Sequence, residues 1–298
     1  MWLSILMLAV VAACSEVTDL NAPPPPPGEP GESVVLAAAG SIAECPDQED
    51  EATAVLLDDL PGFVAAVGDN VQPVGTFENY VDCYTPTWGR HLDRTFAVTG
   101  NHDYEVPDAA GYFDYFGERA GPRGLGYYSA DIGAWHVIVL NDNLDFVPID
   151  AGSAQDQWLV DDLAANTKQC VLAMWHQPRF LSSNDAGFTV RPTRKNLWDR
   201  LYAAGVEIVL NGHQHHYERM APMNPDGNVD DATGIRQFNV GTGGESTALP
   251  TVTIHPNSDV VSDAFGVLKL TLRPDGYDWE FLPIAGESFT DTGTGTCH

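Results

Sequence analysis

Six short apolar runs, rich in alanine or β-branched residues, recur between Ser33 and Asn211, and turn-forming or helix-like stretches separate them. They are Val34–Ala39, Phe63–Val67, Phe96–Val98, Trp135–Leu140, Cys170–Trp175 and Gly205–Leu210. Runs of this length bounded by turn residues read as buried strands. Glu49–Leu60 reads as a helix, with Ala52, Val55, Leu56, Asp59 and Leu60 near 3.6-residue spacing and Pro61-Gly62 closing it. Gln155–Ala165 and Thr193–Ala203 read as two more. Beyond Arg219 the pattern turns mostly β, over Gly234–Val240, Ala264–Leu272 and Tyr277–Leu282. Alternation followed by a β-rich end predicts a mixed α/β layered domain over residues 33–298.

The polar residues that follow these runs form a second pattern. Asp69 follows one run, Asn101 and His102 another, His176 a third, and His213 and His215 a fourth. Strand ends along one edge of an α/β sheet are where such folds gather their sites. His213 and His215 are two residues apart, so in extended backbone they point the same way. Neutral imidazoles suit first-row transition metals, and a carboxylate such as Asp69 can bridge two cations. Each residue also has a plainer reading: Asp69 as a helix cap, Asn101 as a turn residue, His176 as a hydrogen-bonded core histidine, His102 as structural. Four such strand ends in one chain favour a metal site. His91, His136, His255 and His298 have no motif around them, and His216 reads as a neighbour of the site or a surface residue.

Charge narrows the partners. Forty-two acidic residues face fourteen basic ones, giving a formal net charge of −28, and the only lysines are Lys168, Lys195 and Lys269. Such a surface repels nucleic acid and anionic membranes. A bound metal would let it accept an anion, because the ion is the largest local charge in its site.

Residues 1–13 are apolar and end at Cys14, too few to span a bilayer, which takes roughly 20 residues. The run reads as the core of an export signal. Val11-Ala12-Ala13-Cys14 resembles the lipobox of bacterial lipoproteins, although no Lys or Arg precedes the apolar run. The segments expected are an export signal over 1–14, a tether over 15–32 with five consecutive prolines, Pro23 to Pro27, and the folded domain over 33–298. Any membrane contact would then run through an N-terminal lipid, on the periplasmic or outer side. Cys45, Cys83, Cys170 and Cys297 remain, an even number in an exported chain, with three pairings open. Cys45–Cys83 with Cys170–Cys297 is favoured, since the second bond would tie the C-terminal tail to a core strand.

Gly68-Asp69, Gly100-Asn101-His102-Asp103, His176-Gln177-Pro178 and Gly212-His213-Gln214-His215 resemble, in this order, the motifs of the calcineurin-like metallophosphoesterases. The extension His215-His216-Tyr217-Glu218-Arg219 is similar to the purple acid phosphatase branch. The resemblance implies an α/β fold, a four-layered α/β/β/α sandwich, holding two divalent transition metal ions (Fe, Zn or Mn). It implies that Asp69 bridges the ions, that Asn101, His176 and His213 complete one site, and that His215 belongs to the other. His102 would face the substrate, donating a hydrogen bond or proton. The implied activity is hydrolysis of a small phosphate ester by metal-activated water, the two ions standing roughly 3.5–4 Å apart.

Two positions depart from the family pattern. The aspartate expected after the first strand is Ser41, and the tyrosine expected three residues after the bridging aspartate is Gln72. Both belong to the site of His215. A hydroxyl and an amide are weak neutral ligands, so a hard or trivalent cation would bind poorly there, and no tyrosinate colour should appear. Glu44 is a candidate substitute. Three readings stay open: a two-metal esterase, a one-metal enzyme, and a non-catalytic phosphate-ester binder. Substrate choice would be set at the rim, for which Tyr104, Phe113, Tyr115, Arg179 and Arg219 are candidates, Arg219 equally as a partner of a buried carboxylate.

Overall fold

Both faces of the central strands are apolar, so each strand must be covered twice. The computed structural model describes residues 31–45 and 49–298; the expected export signal and most of the expected tether lie outside them. In β1 (Val34–Ala39), Leu36 and Ala38 point into one core while Ala37 and Ala39 point into another. This two-residue alternation is what a strand buried between two layers requires.

The chain continues through β2 (Ala43–Glu44), α1 (Glu49–Asp58), β3 (Phe63–Val67), β4 (Val71–Gln72), α2 (Phe77–Asn79), β5 (Thr95–Val98) and α3 (Ala110–Phe116). Next come β6 (Tyr128–Ile132), β7 (Trp135–Val139), α4 (Ala154–Ala165), β8 (Cys170–Met174), α5 (Lys195–Ala203) and β9 (Ile208–Asn211). The β-rich end holds β10 (Tyr217–Met220), β11 (Arg236–Val240), β12 (Ser258–Ser262), β13 (Gly266–Arg273), β14 (Gly276–Pro283) and β15 (Thr292–Thr296). One sheet has the order β15-β14-β13-β1-β3-β5 and the other β12-β10-β11-β9-β8-β7-β6. Pairing is parallel within β1-β3-β5 and within β7-β8-β9-β11, and antiparallel elsewhere in both sheets.

The sheets pack face to face on Leu36, Val67, Leu172, Leu210, Leu268 and Phe281. Outside the first sheet, Ala54 and Leu57 of α1 and Tyr112 and Phe116 of α3 cover Ala37 and Ala66. Outside the second, Leu159 of α4 and Trp198 and Leu201 of α5 cover Val171 and Val209. This is the α/β/β/α sandwich. Both disulfides join the pairs favoured from sequence, Cys45–Cys83 and Cys170–Cys297, with Cα atoms 5.6 and 5.4 Å apart. Among the described residues no helix is long and apolar enough to cross a membrane.

Several boundaries differ from the sequence reading. Gly205-Val206-Glu207 is not strand. Gly205 has φ +73° and closes α5, with its N–H donating to the Tyr202 carbonyl and that of Val206 to the Leu201 carbonyl. That paired C-cap holds the chain until Ile208. The helix expected from Thr193 begins at Lys195, behind a 3₁₀ turn at Pro192–Arg194.

Candidate metal centre

Two of the strands that feed the site end where the chain turns through left-handed backbone. After β3, Gly68 and Asp69 have φ +80° and +51°, and after β9 His213 has φ +68°. A left-handed Asp or His is uncommon, and such residues cluster where surrounding structure holds them for a purpose. A Cβ on Gly68 would sit 2.4 Å from Nδ1 of His176, so only glycine lets β3 approach the loop after β8. Donors from both sheets therefore meet between them, at the C-terminal ends of β3, β5, β8 and β9.

Nδ1 of His176 lies 2.9 Å from the Val67 carbonyl oxygen and must donate to it. Nε2 then carries the lone pair of the neutral ring, and it faces Oδ2 of Asp69 at 2.9 Å and Nδ1 of His213 at 3.3 Å. Nδ1 of His213 is also 2.9 Å from Oδ1 of Asn101, and Oδ1 of Asp69 accepts from the His102 N–H at 2.9 Å. One donor atom each from Asp69, His176 and His213 lie within 4.8 Å of one another. Among the described residues no other three His, Cys, Asp or Glu side chains meet so closely. Two imidazoles and a carboxylate around one point fit a divalent transition ion, with the Asn101 carbonyl oxygen beside them.

The electrostatics agree. Burial works against charge on Asp69, but the charge and hydrogen bond of His176 prevail and bring its carboxyl down to about 2. Burial also opposes charge on His176, and Asp69 outweighs it and raises the ring. His213 is pushed well below its usual value by burial and by the charges of His176 and Arg191, leaving it neutral, as a ligand must be.

His102 stands at the edge, half-buried, with Nδ1 2.7 Å from the Pro73 carbonyl oxygen. His215 does not join the cluster. Its Nδ1 lies 2.6 Å from Oε2 of Glu245 and 2.8 Å from Oγ of Ser246. Ser41 has φ +54° and its buried Oγ has no hydrogen-bond partner; Nε2 of Gln72 is likewise buried and unpartnered. Glu44 pairs in register with Gln72.

Three of the rim candidates are buried and a fourth is held in ion pairs. Phe113 and Tyr115 are buried, Tyr115 stacked on Tyr80 at 4.8 Å. Arg179 is buried and donates to the carbonyls of Arg191 and Pro225. Arg219 pairs with Asp291 at 2.7 Å and with Asp259 at 2.6 Å, which makes it the partner of a buried carboxylate and not a phosphate clamp. Tyr104 remains half-exposed, its hydroxyl accepting from Asn141 and its ring stacked on Phe146 at 4.4 Å. His216 is buried beside Glu218, 3.4 Å away.

Sequence reading missed a cationic group. Gln177 Oε1 accepts from Nη1 of Arg191 at 2.9 Å and Nη2 of Arg194 at 2.7 Å, while the buried Asp142 pairs with Arg194 alone. Two guanidinium groups thus share one amide oxygen, that of the residue after His176, and one carboxylate, Asp142, faces them. Burial and the neighbouring Arg194 bring Arg191 down to about 10. Gln177 was quoted in a motif, but nothing local marks residues 14 and 17 positions later as its partners.

The family model of the calcineurin-like phosphoesterases matches residues 44–217, more than half of the chain. The chain belongs to this family. It is 31% identical over 206 residues to probable purple acid phosphatase 20 of Arabidopsis thaliana, covering 61% of this chain and 47% of that one. It is 34% identical over 161 residues to the serine/threonine-protein phosphatase CPPED1 of Pongo abelii, covering 49% and 50%. The chain thus spans about half the length of these curated relatives. Among solved structures, a purple acid phosphatase from yellow lupin seeds superposes with a TM-score of 0.70 at 18% identity, over 90% of this chain and 55% of that one. A dimetal phosphatase from Danio rerio superposes at 0.57 and 13%, over 89% and 99%. At those identities the superpositions speak for the fold. The family's members are hydrolases that depend on metal ions.

Proposed function

We propose that this chain is an exported phosphoesterase that hydrolyses small phosphate esters with divalent transition metal held by Asp69, Asn101, His176 and His213. The observation that carries the reading is the meeting of one carboxylate and two imidazole donors within 4.8 Å at the strand ends. An ion there would supply a Lewis acid for the phosphoryl oxygens and an activated water for attack. The protein's own residues do the rest. Val67 fixes the ring of His176 so that Nε2 faces inward, and the His102 N–H orients the Asp69 carboxylate. His102, whose Nδ1 donates to the Pro73 carbonyl, would give a proton from Nε2 to the departing oxygen in its doubly protonated form. Arg191 adds positive charge beside His213, which draws an anion to a chain of charge −28.

Export is supported by the apolar segment before Cys14 and by two disulfides, which persist in oxidising compartments. A second reading, a one-ion enzyme, is favoured by the side chain of His215 standing outside the cluster. The test is release of an aryl alcohol from an aryl phosphate by purified protein. Turnover that chelator abolishes and Mn²⁺ or Zn²⁺ restores is expected. Metal uptake without turnover of mono- or diesters would leave a binding protein and overturn the proposal.

A further inference from the structure

The edge of the centre carries a stacked aromatic pair that the metal chemistry leaves unused. We propose that Tyr104 and Phe146 form a platform for a planar ring in the alcohol part of the substrate, so that the preferred esters are phosphates of ring-bearing alcohols. The inference rests on the proposed function and names the substrate class of that same site.

Placement comes first. Tyr104 lies two residues after His102, within the 3₁₀ turn Asp103–Glu105. Its N–H donates to the carbonyl of Asn101 at 3.1 Å, the residue whose side chain faces His213. Its hydroxyl accepts from Nδ2 of Asn141 at 2.8 Å, in the loop after β7. The next residue of that loop, Asp142, accepts from the Gln177 N–H at 3.2 Å, and Gln177 follows His176. The Tyr104 side chain therefore runs along the edge of the cluster, from the turn that carries His102 to the loop beside His176. His102 is the residue read as facing the departing oxygen, so a ring attached to that oxygen falls towards Tyr104.

The loop after β7 then holds its own ring against this one. The N–H groups of Phe146 and Val147 both donate to the Asn143 carbonyl, at 3.0 and 2.8 Å. Val147 is buried, and Nδ2 of Asn143 donates to Oγ1 of Thr99 at 3.3 Å, so the turn is anchored to the core and to the loop after β5. It presents Phe146 to Tyr104 with ring centroids 4.4 Å apart and planes 23° from parallel. Phe146 is nevertheless 50% exposed, which leaves ring surface for a ligand. A lone exposed phenylalanine is ordinary. Here two loops are pinned together so that an exposed ring stays stacked beside the site. Offset aromatic stacking is favourable beyond the area it buries, and a ring already held in place loses little freedom when it takes another. Neither residue carries a charge, so the pair acts on the alcohol of the ester and leaves the phosphate to the cationic groups.

The experiment is calorimetric titration of the Mn²⁺-loaded full chain with methylphosphonate and with 1-naphthylmethylphosphonate, neither of which has an ester bond to hydrolyse. The naphthyl compound should bind at least ~10-fold more tightly, the order that stacking on an aromatic side chain supplies. Phe146→Ala should erase most of that advantage, and Phe146→Trp should keep it. The phosphonate analogue of adenosine monophosphate separates two kinds of ring: weaker binding to Phe146→Ala extends the platform to nucleobases, and equal binding confines it to rings bonded close to the ester oxygen. Equal affinity of the wild type for the methyl and naphthyl compounds would overturn the inference and leave the proposed function standing. So would a naphthyl advantage that Phe146→Ala retains in full. A wild type that binds neither compound overturns both.

Discussion

Nε2 of His176 lies 2.9 Å from Oδ2 of Asp69, although the two residues are more than a hundred positions apart and leave strands of different sheets. The contact locks the sandwich at the one edge where donors converge. Asp69→Asn keeps the shape and removes the charge. It should lower bound metal and reduce turnover of an aryl phosphate by at least ~100-fold, since loss of a single supporting group already costs ten- to hundredfold. Unaltered metal content in the variant would separate Asp69 from the ion.

Gly68→Ala tests the approach itself. The added methyl meets the ring of His176 at 2.4 Å from a backbone at φ +80°. Left-handed strain alone costs about 1–3 kcal/mol, and the displaced imidazole adds to it. Urea unfolding should report a loss above ~1 kcal/mol together with weaker metal binding. A variant as stable as the wild type would show that the loop has room to move.

The Cys170–Cys297 bond spans a sequence separation of 127 and ties the C-terminal tail to the first residue of β8. Cys297→Ser should cost about 2–5 kcal/mol, read by urea unfolding without reductant. The proposed metal centre lies beyond the opposite end of β8, so turnover per folded molecule should change little.

Asp156, at the start of α4, accepts from Nε of Arg200 at 2.8 Å, from Asn196 and from the Gly152 N–H. The hydrogen bond from Arg200 comes first in bringing its carboxyl down to about 2. A depressed acid stabilises the fold above its unfolded value near 3.8, and that contribution fades as pH falls through 2. Arg200 is 40% exposed, so solvent screens the pair. Asp156→Asn should therefore lose about 1–2 kcal/mol at pH 6, with the gap to wild type closing between pH 4 and 2. A gap independent of pH would assign the loss to geometry.

Iron-loaded protein should be colourless in the visible range, because Gln72 stands where a tyrosinate would give charge transfer. An absorption spectrum of the loaded protein checks this, and an intense visible band would require another phenolate ligand.

Much of the layered fold was legible because β1, β3, β8 and β9 are short apolar runs with a sharp end, and the polar residues after three of them form the candidate metal cluster. α3 escaped notice: Tyr112, Phe113, Tyr115 and Phe116 are all buried, so no polar face gives it a helical period. β15 escaped as well, since Thr-Gly-Thr-Gly-Thr at a sheet edge has no apolar alternation.

By itself, the order of residues determined the strand-helix alternation, the placement of Asp69, Asn101, His176 and His213 at strand ends, and the absence of two customary ligands at Ser41 and Gln72. These are local properties, written in spacing and side-chain type. Only the tertiary structure decided that Arg219 belongs to Asp291, that Tyr115 is core, and that Glu245 comes to rest against His215. Such pairings join residues from loops whose paths are set by packing of the whole sandwich, and no periodicity along the chain encodes where two loops meet.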